Sequence, residues 1–144
     1  MDHEAPISAR DWETLAAFRR ELRGFLRFSE EAARRHGLTP QQHQLLLAIK
    51  GTPGRDWLSI RELAEDLKES HHGVVGLVDR LERGGFVARA PHAQDRRTVE
   101  VRLTEAGEDV LVHLTLAHRQ ELRQMAEIWH ALSQLGGPST KQGS

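Results

Sequence analysis

Between Gly84 and Gly107 the chain reads GGFVARAPHAQDRRTVEVRLTEAG, and within this stretch the apolar spacing changes from helical to alternating and back again. In TVEVRL, Val99, Val101 and Leu103 alternate with Thr98, Glu100 and Arg102, the mark of a half-buried antiparallel pair formed with FVARA. The residues between, PHAQDRR, are then a hairpin loop, and Arg96 and Arg97 stand together at its tip. Thr104 follows as a helix N-cap, with Glu105 and Glu108 in the first turn where acidic groups suit the positive helix end.

Upstream, HHGVVGLVDRLER carries Val74, Val75, Leu77, Val78 and Leu81 at helical spacing and runs into Gly84 and Gly85, so a helix over 71–83 with a glycine stop is expected. SIRE places Glu62 three residues after Ser59, a capping box that opens a short helix to about Lys68, and Trp57 to Ser59 reads as a short strand. Thr39, Pro40 and Gln42 make a second capping box and start a helix running to about Lys50. GTPGRDW is turn chemistry. Before these, residues 12–36 form an amphipathic helix on Leu15, Phe18, Leu22, Phe25 and Leu26 that ends near Gly37. After Thr104 the helical period persists to about Leu135, roughly 45 Å if unbroken, although Thr115 to His118 are weak helix formers at which it could break. The tail GGPSTKQGS is flexible by composition.

Composition limits the classes. A chain of 144 residues with 38% hydrophobic content suffices for one domain with a core, or a small domain with an oligomerisation element. With no cysteine there is no disulfide, thiolate metal site or thiol switch, so a reducing, cytoplasmic setting is expected. No run of about 18 apolar residues suggests a membrane span, and MDHEAPISARDWETL lacks the basic and apolar regions of an export signal. No Gly-x-Ser-x-Gly, His-Glu-x-x-His or phosphate loop points to an enzyme, and no cofactor is implied. The net charge of -1 is uninformative, because nucleic-acid binding depends on where basic residues cluster. From Arg83 to Arg102 five arginines (83, 89, 96, 97, 102) face two acids (Asp95, Glu100), an excess of three, whereas the segment from Asp56 to Glu69 is acidic.

The order helix, helix, short strand, helix, turn, helix, hairpin is that of a winged helix-turn-helix: a mainly α fold with a small β-hairpin. In such an arrangement the helix after the turn enters the DNA major groove and the basic hairpin tip reaches the minor groove. The expected organisation is an N-terminal dimerisation helix in 1–37, a DNA-binding core in 38–103, one or more C-terminal dimerisation helices in 104–135 and the tail 136–144. The C-terminal apolar stripe is too long to bury against so small a domain, which favours a homodimer built on Leu15, Phe18, Leu22, Leu114, Leu122, Met125, Trp129 and Leu132.

The segment LSIRELAEDLKESHHGVVGLVDRLERGGFVARAPHAQDRRTVEVRLTEAGE resembles the core of the MarR family, the multiple-antibiotic-resistance regulators, in its VDRLE helix, paired glycines, Asp-Arg-Arg wing and Leu-Thr-x-x-Gly exit. The resemblance implies a homodimeric regulator, commonly a repressor released from a pseudo-palindromic operator by a small ligand. It also implies that Arg97 enters the minor groove with Arg96 nearby, and that Asp95 braces Arg97 through a salt bridge. The helix from His71 departs from the family's habit of presenting Ser, Thr and Arg to base edges. Here His71 and His72 in the first turn can reach guanine or phosphate, Val75 can meet a thymine methyl, and Gly73 and Gly76 allow close backbone approach. Arg80 and Arg83 are phosphate binders, and Ser59 and Arg61 either bind the backbone or merely cap their helix. The histidine pair could instead pack or bind metal. Trp12, Phe18, Phe25, Phe28, Trp57 and Trp129 are expected mostly in the core, or lining an effector pocket that the sequence does not locate. Two alternatives stay open: a metal-sensing regulator on this fold, though the histidines lack ligand spacing, and a winged-helix module that binds protein.

Overall fold

The computed structural model describes residues 5–135; the tail expected in 136–144 lies outside the described residues. The elements, in chain order, are α1 (Ala9–Arg35), α2 (Pro40–Lys50), β1 (Trp57–Ser59), α3 (Ile60–Leu67), α4 (His71–Arg83), β2 (Val87–Pro91), β3 (Val99–Leu103) and α5 (Glu105–Ser133). This is a mainly helical chain with one small antiparallel sheet of order β1-β3-β2. Two compact units divide it: one holds residues 30–117, the other residues up to Ser29 and from His118 onward.

Local chemistry sets most of the helix ends. Both capping boxes form: Thr39 accepts from the Gln42 N–H while Gln42 accepts from the Thr39 N–H, and Ser59 and Glu62 repeat the exchange. Each box satisfies two N–H groups that a helix start would leave without partners. Ser70 caps α4 by accepting from the Gly73 N–H at 3.0 Å. At the other end of α4, Phe86 N–H donates to the Leu81 carbonyl and Gly85 N–H to the Glu82 carbonyl; Gly85, at φ +81°, supplies the left-handed step this ending requires. The turn between α3 and α4 instead uses Lys68 at φ 53°, a left-handed position occupied by a residue with a Cβ.

In the unit of residues 30–117 the core is built from Leu45, Leu46 and Ile49 of α2, Leu63 of α3, Val74, Val78 and Leu81 of α4, Val87 and Val101 of the sheet, and Leu111 and Leu114 of α5. Leu114 is fully buried, which removes it from the expected dimer residues: it serves the protomer's own core. The strand alternation also needs correction. Simple period-two patterning turns Glu100 outward with Arg102, yet Glu100 is buried, because β3 is the central strand and neighbouring side chains close over that face. Helix α5 does not break at Thr115 to His118; Thr115 Oγ1 donates to the Leu111 carbonyl at 2.8 Å inside a continuous helix about 44 Å long.

In the other unit Phe25 and Phe28 meet the buried His118 ring edge-on, at centroid distances of 5.8 and 5.2 Å. This unit also leaves Trp12 63% and Trp129 68% exposed, with Ile7, Leu26 and Leu122 exposed as well, so the two tryptophans are not core residues. No helix among the described residues is long and apolar enough to cross a membrane.

Candidate nucleic-acid interface

Helix α4 begins after its N-cap Ser70, and His71 and His72 are exposed on its first turn. Gly73 has a local reason: a Cβ there would stand 3.0 Å from Ser70 Oγ, so glycine lets the cap close fully. Gly76 lies under the Arg80 guanidinium, where a Cβ would come within 3.7 Å of a terminal nitrogen. The expected approach of α4 backbone to a groove at Gly76 is thus screened in part by Arg80. Val75 is half-buried, which leaves it a limited surface for a thymine methyl.

The arginines divide into two sets. Arg89 of β2 binds both Asp79 (2.6 Å) and Glu82 (3.1 Å) of α4, and its hydrogen bonds hold the Glu82 carboxyl below the usual carboxylate range. Those acids in turn, Glu82 first, raise the guanidinium pKa of Arg89, so the first wing strand is tied to α4 by a charge-assisted fork. Arg102 of β3 pairs with Glu100 at 2.5 Å and with Asp56. Arg55 pairs with Glu62 and lies 4.3 Å over the Trp57 ring, a cation–π contact. By contrast Arg80, Arg83, Arg96 and Arg97 pair with no carboxylate among the described residues, and all four are exposed. The local positive excess counted from the sequence is therefore carried by α4 and the wing tip; Arg89 and Arg102 spend their charge inside the protein.

The remaining expected residues fall as follows. Ser59 is occupied as a cap, and Arg61 makes only an exposed pair with Glu65 at 3.4 Å, worth about 0–1 kcal/mol and easily exchanged for a phosphate. Asp95 braces the tip through backbone: its Oδ1 accepts from the Arg97 N–H at 3.0 Å and its Oδ2 from Thr98 Oγ1 at 3.5 Å. The expected salt bridge to the Arg97 guanidinium is absent among the described residues, so that guanidinium is free to reach outward.

Sequence spacing could not show two further clusters. His92 donates from Nδ1 to Glu100 Oε1 at 2.5 Å and packs against Trp57 at a centroid distance of 5.0 Å, the rings tilted by 38°. His36 and His113, far apart in sequence, come within 6.4 Å between ring centroids; His36 Nδ1 donates to the Ala32 carbonyl at the end of α1 and His113 Nδ1 to the Asp109 carbonyl within α5. No group of three or more metal-binding side chains forms among the described residues.

The buried carboxylate yields a pH prediction. The His92 hydrogen bond, with that of Arg102, holds Glu100 below the usual carboxylate range against burial, which pushes it up. A folded-state pKa below the unfolded one contributes stability above the ordinary carboxylate value of about 4.3, and that stability is lost as pH falls through the folded value. Glu100→Gln is therefore expected to lower stability by a constant amount above about pH 5 and by a shrinking amount below about pH 4. Urea unfolding of both proteins from pH 3 to 8 checks this; a stability gap that does not narrow in acid would show that Glu100 is not held ionised by its partners.

A capped helix-turn-helix of α3 and α4, followed by a β2–β3 hairpin with two exposed arginines at its tip and a first strand β1 closing the sheet, defines a winged helix-turn-helix protein. The sequence profile of the MarR family matches residues 36–98, the part of the chain that holds the helix-turn-helix and most of the wing. Among curated relatives it is 29% identical to the HTH-type transcriptional repressor MdtR of Bacillus subtilis over 78% of each chain. It is 37% identical to the transcriptional activatory protein BadR of Rhodopseudomonas palustris over 55% of this chain and 45% of that one. Against several other curated relatives the match spans about half their length. A solved structure of a mutant MepR of S. aureus bound to an oligodeoxyribonucleotide superimposes with a TM-score of 0.66 at 20% identity, covering 78% of this chain and 80% of that one.

Proposed function

We propose that this chain is a sequence-specific, DNA-binding transcriptional regulator, a homodimeric repressor that leaves a pseudo-palindromic operator in the cytoplasm when a small molecule or ion binds. The observation that carries the reading is the division of the arginines: among the described residues Arg80, Arg83, Arg96 and Arg97 remain without acidic partners on the reading helix and wing, while Arg89 and Arg102 brace them. Charge left unneutralised on those two elements is what a phosphate backbone and a minor groove require. His71 and His72 supply donors at the α4 start, Val75 a small apolar contact, and Arg61 a phosphate contact; Ser59 and Gly73 act by capping. Base hydrogen bonds from α4 are few, so selectivity leans on the wing and on DNA shape.

The test is fluorescence anisotropy with DNA upstream of the protein's own gene and with a scrambled duplex, at two salt concentrations. Tight, selective binding that weakens steeply with salt is expected. Equal, salt-insensitive binding to both duplexes would favour a protein-binding role for the wing.

The dimer rests on the apolar surface around Trp12, Leu26, Leu122 and Trp129, which a monomer would leave in water. Leu15, Phe18, Leu22, Met125 and Leu132, each half-buried within one chain, extend it. Charging this surface with Leu122→Glu and Trp129→Glu together is expected to convert a dimer to a monomer in sedimentation. Operator affinity should then fall roughly tenfold or more, because the two half-sites are no longer engaged by one linked pair. A double variant that still sediments as a dimer would place the interface elsewhere.

A further inference from the structure

The wing tip must point at DNA, yet little within the tip holds it against the rest of the molecule. His92 N–H donates to the Thr98 carbonyl at 2.9 Å and Thr98 N–H to the Asp95 carbonyl at 3.0 Å, which closes the loop on itself. An open cleft lined by Trp57, Ser59, Arg61, Glu65, Asp95 and Thr98 separates the tip from the start of α3, so packing against that helix does not set its angle. From the loop at the wing tip, the His92 ring reaches back to β1 and β3. It packs on Trp57 of β1 at 5.0 Å with the rings tilted by 38°, and Nδ1 donates to buried Glu100 of β3 at 2.5 Å.

Both partners are themselves fixed. In the sheet register Trp57 stands opposite Arg102 and Ser59 opposite Glu100, so Trp57, Glu100 and Arg102 share one face. Arg102 grips Glu100 and Asp56, while Arg55 lies over Trp57 and pairs with Glu62, the residue that completes the capping box of α3. A chain of contacts thus runs from the start of α3 through Arg55 and Trp57 to His92, with a second arm through Glu100 and Arg102.

We propose that His92 is a positioning residue of the wing: clamped between Trp57 and Glu100, it sets the direction of the tip and so delivers Arg97 to DNA. The inference rests on the DNA-binding reading above. An imidazole suits the task because it offers a flat ring to pack against Trp57 and a donor nitrogen in its plane, whereas a purely apolar ring keeps only the first.

The experiment is a double-mutant cycle on operator affinity with wild type, Arg97→Ala, His92→Phe and the pair, each checked for folding by circular dichroism at the assay temperature. Coupled residues give non-additive effects; a general loss of fold does not depend on whether Arg97 is present. His92→Phe is expected to weaken binding about fivefold in the wild-type background and less than about twofold in Arg97→Ala. His92→Asn, whose amide nitrogen lies near the place of Nδ1, should restore part of the loss. Glu100→Gln, nearly isosteric, weakens the same bond from its other end and should reproduce the coupling at smaller size if His92→Phe does not fold. Equal losses in both backgrounds, or no loss from either variant at sites where Arg97→Ala does weaken binding, would overturn the positioning role. If Arg97→Ala itself changes nothing, the DNA-contact reading of the wing fails first, and this inference with it.

Discussion

Arg97→Ala is expected to weaken operator binding by about 1–3 kcal/mol, roughly 5- to 150-fold, and to lower the salt slope by about one unit. The reason lies in how the tip is assembled. Asp95 spends its carboxylate on the Arg97 N–H and on Thr98, which fixes the backbone while leaving the guanidinium without an acidic partner among the described residues. A free guanidinium in the minor groove gains its hydrogen bonds and displaces a counterion on binding, so affinity and salt dependence should fall together. Arg102 makes a stringent control. It is also a wing-strand arginine, but it is already paired with Glu100 and Asp56. Arg102→Ala should disturb stability and leave the salt slope near its wild-type value. Anisotropy titrations from 50 to about 200 mM salt separate the two; equal slopes for wild type and Arg97→Ala would remove this residue from the contact surface.

Gly107→Ala should destabilise the protein by about 3 kcal/mol, with a fall in Tm of roughly 6 to 12 °C. The first turn of α5 sits directly on the turn that ends α4. Thr104 N–H donates to the Phe86 carbonyl at 3.0 Å, Thr104 Oγ1 donates to the Gly85 carbonyl at 2.5 Å, and the same oxygen accepts from Gly107 N–H at 3.1 Å. A Cβ at Gly107 would overlap the Phe86 carbonyl oxygen and stand 3.0 Å from its carbon. Backbone cannot swing aside as a long side chain can, and retreat of Phe86 breaks the Thr104 bond. Gly24, within α1, is the counter-case: a Cβ there meets nothing within 4 Å. Gly24→Ala is therefore expected to stabilise by about 0.5–1 kcal/mol. Thermal unfolding of both variants tests the contrast, and a Gly107→Ala loss below about 1 kcal/mol would mean that the α4–wing turn yields more readily than its bonds suggest.

These two residues differ in how far they could be read in advance. Arg97 was legible because a hairpin tip is a local object: alternation on either side, turn residues between and adjacent arginines define it without reference to the rest of the chain. Gly107 was visible only as part of a Leu-Thr-x-x-Gly exit. Its reason, the Phe86 carbonyl, lies 21 positions earlier and comes within reach only when the sheet has formed.

The same division runs through the molecule. By itself the sequence determined the helix starts at Pro40, Ile60 and His71, the glycine stop after Arg83 and the two wing strands, since caps and apolar period act within a few residues. It also carried the resemblance to the MarR family, whose profile matches residues 36–98, through motifs whose order along the chain is enough. Tertiary structure alone decided which arginines are spent inside and which face outward, because Arg89 finds its acids on α4 and Arg102 finds Asp56 on a segment 46 residues away. It decided as well that Leu114 is core while Leu122 and Trp129 are surface, and that Glu100 is covered on the outer face of a central strand. Period says only which side of an element a residue occupies. What covers that side depends on which segments the fold brings against it, and no local pattern contains that information.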